Sequence, residues 1–367
     1  MRLSLTLTLY IGRSFLSSFF AVFVVFLGII FLMDTVELLR RASSHENVGL
    51  GLVFQMVFMK LPFMAQQIFP FAVLFGGMAS FWRLTRSSEL VVTRAAGVSA
   101  WQFLLPVLLV ALILGILKIS AFNPLASAML EKYDRLNATH LRGQSNFLAV
   151  SKNGLWLRQA SGKNQSVIHA PKITIINNEI SLAQVTIFVY EGADKFVSRI
   201  DAKTGDLEDG FWHLRDAWIK VITDDSRKFV KEHWVETDIT LNNIHESFSP
   251  PETMSFWDLP DFIDNLERSG FSALRHRLYW HSLLSAPLLL CAMVLIAATF
   301  TLRQSRRGSA TFVIVGGVLT GFLLFFFSDL IFALGLRESI PVVLAAWTPS
   351  GISMLLGLAM VFHLEDG

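Results

Sequence analysis

Six stretches of this chain, each 20 to 26 residues long, contain no Asp, Glu, Lys or Arg: residues 14–33, 61–82, 95–117, 278–302, 308–328 and 339–364. A helix of about 20 apolar residues crosses a hydrocarbon core about 30 Å thick. Backbone amides in lipid must be satisfied within the protein, which a helix does by itself. The pattern therefore predicts six membrane-spanning helices, grouped three and three. In the second, the apolar text begins near Val48, so a long helix broken near Pro62 is expected. The first stretch exceeds the 7–15 residues of a signal-peptide core and no A-x-A-like site follows it closely, so it reads as a retained span.

The charge missing from these stretches shows in the composition, with 53% hydrophobic and only 16% charged residues, where soluble domains carry about 25% charged. A soluble multi-domain enzyme is excluded on that ground. The net charge of +2 gives no nucleic-acid footprint, and the single cysteine, Cys291, excludes an internal disulfide and a cysteine-rich zinc site.

Orientation follows from the Lys/Arg bias of short loops. Arg2, Arg13, Arg83, Arg86, Arg94, Arg303, Arg306 and Arg307 fall on one side, against Arg40, Arg41 and Arg337 with Lys60 on the other. Both termini are expected in the cytoplasm and the long middle region outside it. That region, residues 122–277, holds 18 basic and 21 acidic residues, most of the charge in the chain. From Asn146 to Leu241 it reads as short alternating runs between turn signals such as Asn153-Gly154, Asn177-Asn178 and Asp209-Gly210. Such spacing predicts an all-β sandwich or jelly-roll-like domain. Residues 122–142 continue the third span as an amphipathic helix, and 255–277 form a short helix closed by Gly270 before the fourth span. The expected organisation is residues 1–121 with spans one to three, 122–277 as the extracytoplasmic β domain with flanking helices, and 278–367 with spans four to six.

No catalytic constellation is present. There is no G-x-x-x-x-G-K-[ST] run, no H-E-x-x-H, and Ser161-Gly162-Lys163 lacks the upstream glycine of a phosphate loop. The chain is expected to bind no cofactor, and any ATP it uses must be held by a partner. The loop between spans two and three, RLTRSSELVVTRAAGVSAWQF, begins a short amphipathic helix at Ser87-Ser88-Glu89, stops it at Gly97 and starts a new helix at Ser99. Two readings stand: a rigid handle presented to a motor, or a solvated connector with arginine anchors.

Five segments, YIGRSFL (10–16), LMDTVELLRR (32–41), SSELVVTRAAGVS (87–99), WDLPDFIDNLERSGFSALRHR (257–277) and HLEDG (363–367), resemble the LptF/LptG family of lipopolysaccharide-export permeases from near the first residue to the last. The second and fourth favour the LptG branch over the sister LptF branch. The resemblance implies a multi-pass subunit of the Gram-negative inner membrane, paired with an LptF-like permease and driven by a cytoplasmic LptB-like ATPase dimer that carries the ATP and Mg. It would extract lipopolysaccharide and pass it to an LptC-like periplasmic bridge protein with a membrane helix. Residues 87–98 would be the coupling helix, with Ser88, Glu89, Leu90, Arg94 and Gly97 at the ATPase and Glu89 as the acidic contact.

The resemblance also implies that Arg40 and Arg41, with Asp34, meet the phosphorylated sugars of the lipid. Arginine suits phosphate, although snorkelling to ordinary phospholipid phosphates explains the same residues. Lys132 and Arg135 would add a second basic surface or a solvated face. Asp329, in the apolar text FFFSDLIFALGL, is a gate candidate because an ionisable residue at membrane depth usually faces a bundle interior. His281 stands where the family more often has Lys or Arg. The Phe-rich faces of spans one and five would line an acyl-chain cavity or simply face lipid. Two other function classes remain open. A lipid- or lipoprotein-releasing permease of another system usually has four spans, and a sensor or scaffold needs no coupling helix.

Overall fold

The structure, a computed structural model, describes residues 5–43, 49–95, 97–142, 147–151, 154–161, 164–176, 179–191, 195–208, 210–221, 227–237, 250–268, 272–301 and 310–366. Each charge-free stretch carries a long helix over most of its described residues. In chain order these are α1 (Leu5–Ala42), α2 (Leu50–Arg86), the short α3 (Glu89–Ala95) and α4 (Ala100–Leu117). A π-helical stretch, Lys118–Phe122, joins α4 to α5 (Asn123–Asn137). After the strands come α6 (Leu259–Arg268), α7 (Leu274–Thr301), α8 (Ala310–Leu336) and α9 (Val342–Asp366). Six of these helical segments are long and apolar enough to cross a membrane, with α4 and α5 counted as one continuous helix through Leu141.

The expected break at Pro62 is absent: α2 runs unbroken for 37 residues through both Pro62 and Pro70. A proline removes one backbone hydrogen bond, and in a membrane bundle no bulk water competes for the freed carbonyl while packed neighbours hold the line. Pro106, Pro287 and Pro349 sit inside α4, α7 and α9 in the same way.

The chain divides into two compact units. The first comprises Met1–Leu141, Pro251–Pro260 and Leu274–Gly367, the second Arg142–Pro250 and Asp261–Ala273. In the helical unit α7 is the central element, with 67% of its most apolar window buried against 11% in both α1 and α8. The core it organises includes Phe15, Phe19, Leu74, Phe81, Leu104, Val107, Leu290 and Val294. Lipid is as apolar as leucine, so helices here associate by close packing rather than by escape from water. Gly115 supplies such a contact: a Cβ added there would lie 2.5 Å from the Cα of Pro287, so α4 and α7 touch backbone to backbone. Gly76 does the same for α2 against the backbone of Phe19 in α1, at 2.7 Å.

The second unit carries eight antiparallel strands: β1 (Phe147–Ser151), β2 (Gly154–Ser161), β3 (Asn164–Ala170), β4 (Lys172–Ile176), β5 (Glu179–Glu191), β6 (Lys195–Glu208), β7 (Phe211–Val221) and β8 (Arg227–Glu236). The strand order, which alternation alone leaves open, is β1-β2-β3-β5-β6-β7-β8, with β4 on the first half of β5. All described pairings are thus sequential or nearly so, and the Greek-key crossings of a true jelly roll are not among them. Pairing lapses along one row, at Gln184 in β5, Lys203 in β6, Asp216 in β7 and Lys231 in β8. Gln184 and Asp216 have φ of 59° and 55°. Across that crease the inward alternation slips by one residue in each strand: Ile180 and Leu182 give way to Val185 and Ile187, Ile200 and Ala202 to Gly205, Trp212 and Leu214 to Ala217. Apolar side chains stay buried on both sides of that line. Gln159 of β2 closes the fold, donating to the Glu236 carbonyl at 3.0 Å and accepting from Thr237 Oγ1 at 2.6 Å.

Of the expected turn and orientation residues, Arg2, Arg303, Arg306, Arg307, Asn153, Asn177, Asn178, Asp209 and Gly270 lie outside the described residues.

Candidate functional site

Two polar sites stand at opposite ends of the helical unit. The first is built around α3. The expected helix over 87–98 is shorter in the structure. Ser87 caps α2, its N–H donating to the Arg83 carbonyl while that of Ser88 donates to Thr85, and Ser88 takes a φ of 62° that breaks the helical path. Only Glu89–Ala95 is helical. Gly97, at a φ of 84°, ends it as expected, since a left-handed residue suits glycine. Ser99 and Gln102 then start α4 with a reciprocal capping box.

Leu90 anchors α3, buried in the same core as Leu84 and Phe103, while Val92 on the outer side is 68% exposed. Glu89 is half-buried. Ser87 Oγ donates to its carboxylate at 2.9 Å, and the Tyr10 side chain of α1 lies close to it. The side chain of Arg94 lies outside the described residues. A polar network joins α1 to α2: exposed Arg83 donates from Nη2 to the buried Ser14 Oγ at 2.6 Å, and Ser14 Oγ is 3.0 Å from Ser80 Oγ. Thr85 Oγ1 reaches the Thr301 carbonyl of α7 at 3.4 Å. A short helix docked by Leu90, with an acidic first turn and following directly on the end of α2, which is tied to α1 and α7, is a joint that can carry force.

The second site is at the far end of α1 and α2. Asp34 is buried and forms an ion pair with Lys60 Nζ of α2 at 2.5 Å. Lys60 also lies 5.5 Å from the centre of the Tyr133 ring of α5, so the pair fastens three helices over a core of Leu38, Val53, Met56, Val57, Leu130 and Tyr133. Asp34 is therefore an internal partner rather than part of an open basic surface. Arg40 and Arg41 are exposed, and both grip Glu37: Arg40 through two hydrogen bonds at 3.1 Å, Arg41 through Nε at 2.8 Å. Two carboxylates against three cations leave this cluster one positive charge.

The remaining candidates scatter. Arg135 pairs with Glu131 one turn earlier on α5, and Lys132 is exposed. Asp329 is exposed on α8, so it does not face the interior of this chain. His281 leaves Nδ1 buried without a hydrogen-bond partner among the described residues.

Three polar features escape a reading of the sequence. Lys60 reads as a span boundary, although a lone charge between Met59 and Leu61 is the mark of an ionisable residue at membrane depth. Lys118, likewise taken as a boundary, opens the π-helical stretch and points its ammonium at the Phe69 ring, 5.9 Å away. Asn123 is fully buried: its Oδ1 accepts from the Phe256 N–H at 2.7 Å, and its Nδ2 lies 3.4 Å from both Gln66 Oε1 and the Tyr279 hydroxyl. Nothing in the residue types marks Asn123 as a hub, because its partners are 57, 133 and 156 positions away.

Comparison with known proteins covers the same length as these features. Residues 9–362 match the family described as lipopolysaccharide export system permease LptF/LptG. The lipopolysaccharide export system permease protein LptG of Haemophilus influenzae is 24% identical over 365 residues, 98% of each chain. Its namesake in Escherichia coli K12 is 24% identical over 362 residues, 96% of this chain and 97% of that one. With six membrane-length helices, a β unit inserted between the third and fourth, and a match across nearly its whole length, the chain belongs to the LptF/LptG family of lipopolysaccharide export permeases.

Proposed function

We propose that this chain is the LptG-type permease subunit of an ATP-driven lipopolysaccharide exporter, with both termini in the cytoplasm of a Gram-negative cell and the β unit in the periplasm. An LptF-like permease would complete the membrane part. An LptB-like ATPase dimer would supply the work, and an LptC-like bridge protein would receive the lipid. The observation that carries this reading is α3. It is a seven-residue helix outside the spans, docked by Leu90, with Glu89 in its first turn bonded to Ser87 at the end of α2, a helix itself tied to α1 and α7. A chain without a nucleotide motif needs such an external joint if it is to move on ATP turnover, and a rigid helix seated in a partner groove is a two-state element of the required kind. The LptG reading, rather than LptF, rests on the names of the relatives and on the phrases at 32–41 and 257–271.

In this mechanism closing and opening of the ATPase dimer displaces α3. The Glu89–Tyr10 and Arg83–Ser14 contacts pass that displacement to α1, the helix with the least buried apolar surface together with α8. The exposed faces of α1 and α8, with Phe20, Val24, Ile29, Phe322, Phe325 and Phe326 among them, would line the path of the acyl chains. The test is Glu89→Lys in a complex purified with its ATPase and second permease. The expected result is a complex that still assembles and delivers lipopolysaccharide to an acceptor at least tenfold more slowly. Delivery at the wild-type rate would sink the coupling role.

A further inference from the structure

Two acceptors stand at the join between α4 and α5, and both are filled from a distant part of the chain. The Asn123 N–H donates to the Lys118 carbonyl, five residues back rather than four, so the helix is widened there. Pro124 follows. In a regular helix its N–H would go to the Ser120 carbonyl, and proline has none to give. The donor comes instead from Trp257, whose Nε1–H reaches the Ser120 carbonyl at 3.1 Å across 137 positions. Trp257 is 62% exposed, so this bond, rather than burial, places its ring. One turn on, the fully buried Asn123 accepts the Phe256 N–H on Oδ1 at 2.7 Å.

The segment that fills both acceptors is the chain returning from the β unit, and Pro251–Pro260 belongs to the helical unit. On its other side it is held by α7: the Phe256 ring stacks on Trp280 with centres 6.2 Å apart, and Glu252 pairs with Arg275 at 3.6 Å. The outgoing connector is α5, which begins at Asn123. A single polar point therefore ties the chain that leaves for the β unit to the chain that comes back. The Asn123 amide, 3.4 Å from Gln66 Oε1 and from the Tyr279 hydroxyl, adds α2 and α7 to the same point. Widened turns of this kind are where helices bend, often for function. Bending at 118–122 without the tie would carry α5 alone.

We propose that Asn123 and Trp257 are positioning residues for lipid delivery: they clasp the two connectors of the β unit, so that bending at Lys118–Phe122 displaces both together and work done on the spans reaches the β unit. The hinge is the widened turn and the clasp is what makes its motion useful. Neither residue acts on nucleotide, so ATP turnover does not depend on them. This inference rests on the export reading for what is delivered, while the clasp itself rests on the contacts of Asn123 and Trp257.

The experiment uses the whole complex, with its ATPase and second permease, and measures lipopolysaccharide delivered per ATP hydrolysed. Trp257→Phe keeps the ring and loses only the N–H. Its ratio is expected to fall about threefold, the scale of one hydrogen bond, with ATP turnover within about twofold of native. Asn123→Leu, which loses every contact of the amide, should lower the ratio about tenfold. Asn123→Asp keeps Oδ1 for Phe256 and offers a second oxygen to Gln66 Nε2, which is buried with no partner among the described residues, so it should recover most of the ratio. A merely structural role would lower delivery and ATP turnover together, and that result, or an unchanged ratio in either Trp257→Phe or Asn123→Leu, would overturn the proposal. The second readout is the distance between spin labels on Ala128→Cys of α5 and Pro260→Cys of the returning segment, both exposed positions, in a Cys291→Ala background. With the clasp intact that distance should be the same with and without ATP, and in Asn123→Leu it should spread. A distance that shifts with ATP while the clasp is intact refutes it. If Asn123→Leu does not assemble, Trp257→Phe and the labels decide. A native complex that delivers no lipopolysaccharide removes the export reading instead, and the label pair still decides whether the two connectors move as one.

Discussion

Ser14 shows what one polar atom does inside an apolar bundle. Its hydroxyl receives the Arg83 guanidinium and meets Ser80, itself fully buried, so a single oxygen fixes the rotation of α1 against α2. Interhelical hydrogen bonds in membranes average about 0.6 kcal/mol, and a charged donor raises that. Ser14→Ala should therefore cost about 1 kcal/mol, seen as a lowered melting temperature in detergent, with Arg83→Ala costing at least as much. Ser14→Thr, which keeps the hydroxyl, should recover most of it. At this scale the sequence was informative about which residues matter and silent about what they touch. Charge scarcity drew attention to Asp34, Glu89 and the arginines, because each charge near lipid needs a reason. That Asp34 meets a lysine 26 residues away, and that Glu37 holds both Arg40 and Arg41, depends on helix rotation, which residue types do not encode.

For the helices, the decisive quantity is how near two backbones come. Gly115 admits no side chain, since a Cβ would stand 2.5 Å from Pro287 Cα. Gly115→Leu must push α4 off α7, with an overpacking cost of about 1–3 kcal/mol and loss of folded protein on size exclusion. Gly28→Leu in α1 is the matched control: nothing lies within 4 Å of its added Cβ, and it should express and melt like the parent. Span existence was legible because exclusion of charge over 20 residues leaves only a helix. Continuity of α2 through Pro62 was not, because the rule that proline breaks helices comes from water, where solvent claims the freed carbonyl. The limits of α3 were missed for a related reason: Ser88 adopts a left-handed backbone that serine seldom takes, so the text SSEL reads as a helix start two residues too early.

For the molecule as a whole, the expected topology is open to direct measurement. Cys291 is the only cysteine and is buried against α4, so a Cys291→Ala background accepts single reporter cysteines. Val92→Cys on the exposed side of α3 should react with a membrane-impermeant maleimide only from the cytoplasmic side, and Lys195→Cys in the β5–β6 hairpin only from the periplasmic side. The opposite pattern would invert the proposed orientation. The division into spans and an inserted β unit could be read because charge separates the two populations so sharply. Strand order could not, since alternation reports which face is buried and not which strand lies alongside.

The crease across β5 to β8 has a mechanical consequence. Gln184, Lys203, Asp216 and Lys231 have no paired residue in the register among the described residues, so deuterium should replace their amide hydrogens well before those one residue to either side, by the logic of local opening. Four backbones nevertheless run through the line without interruption. Pulling along the strands loads covalent chain, whereas folding the two leaves toward or away from each other loads only the sparse contacts at the line. The β unit is thus stiff in tension and compliant in flexure, a sheet that transmits a pull yet yields like a cloth hinge.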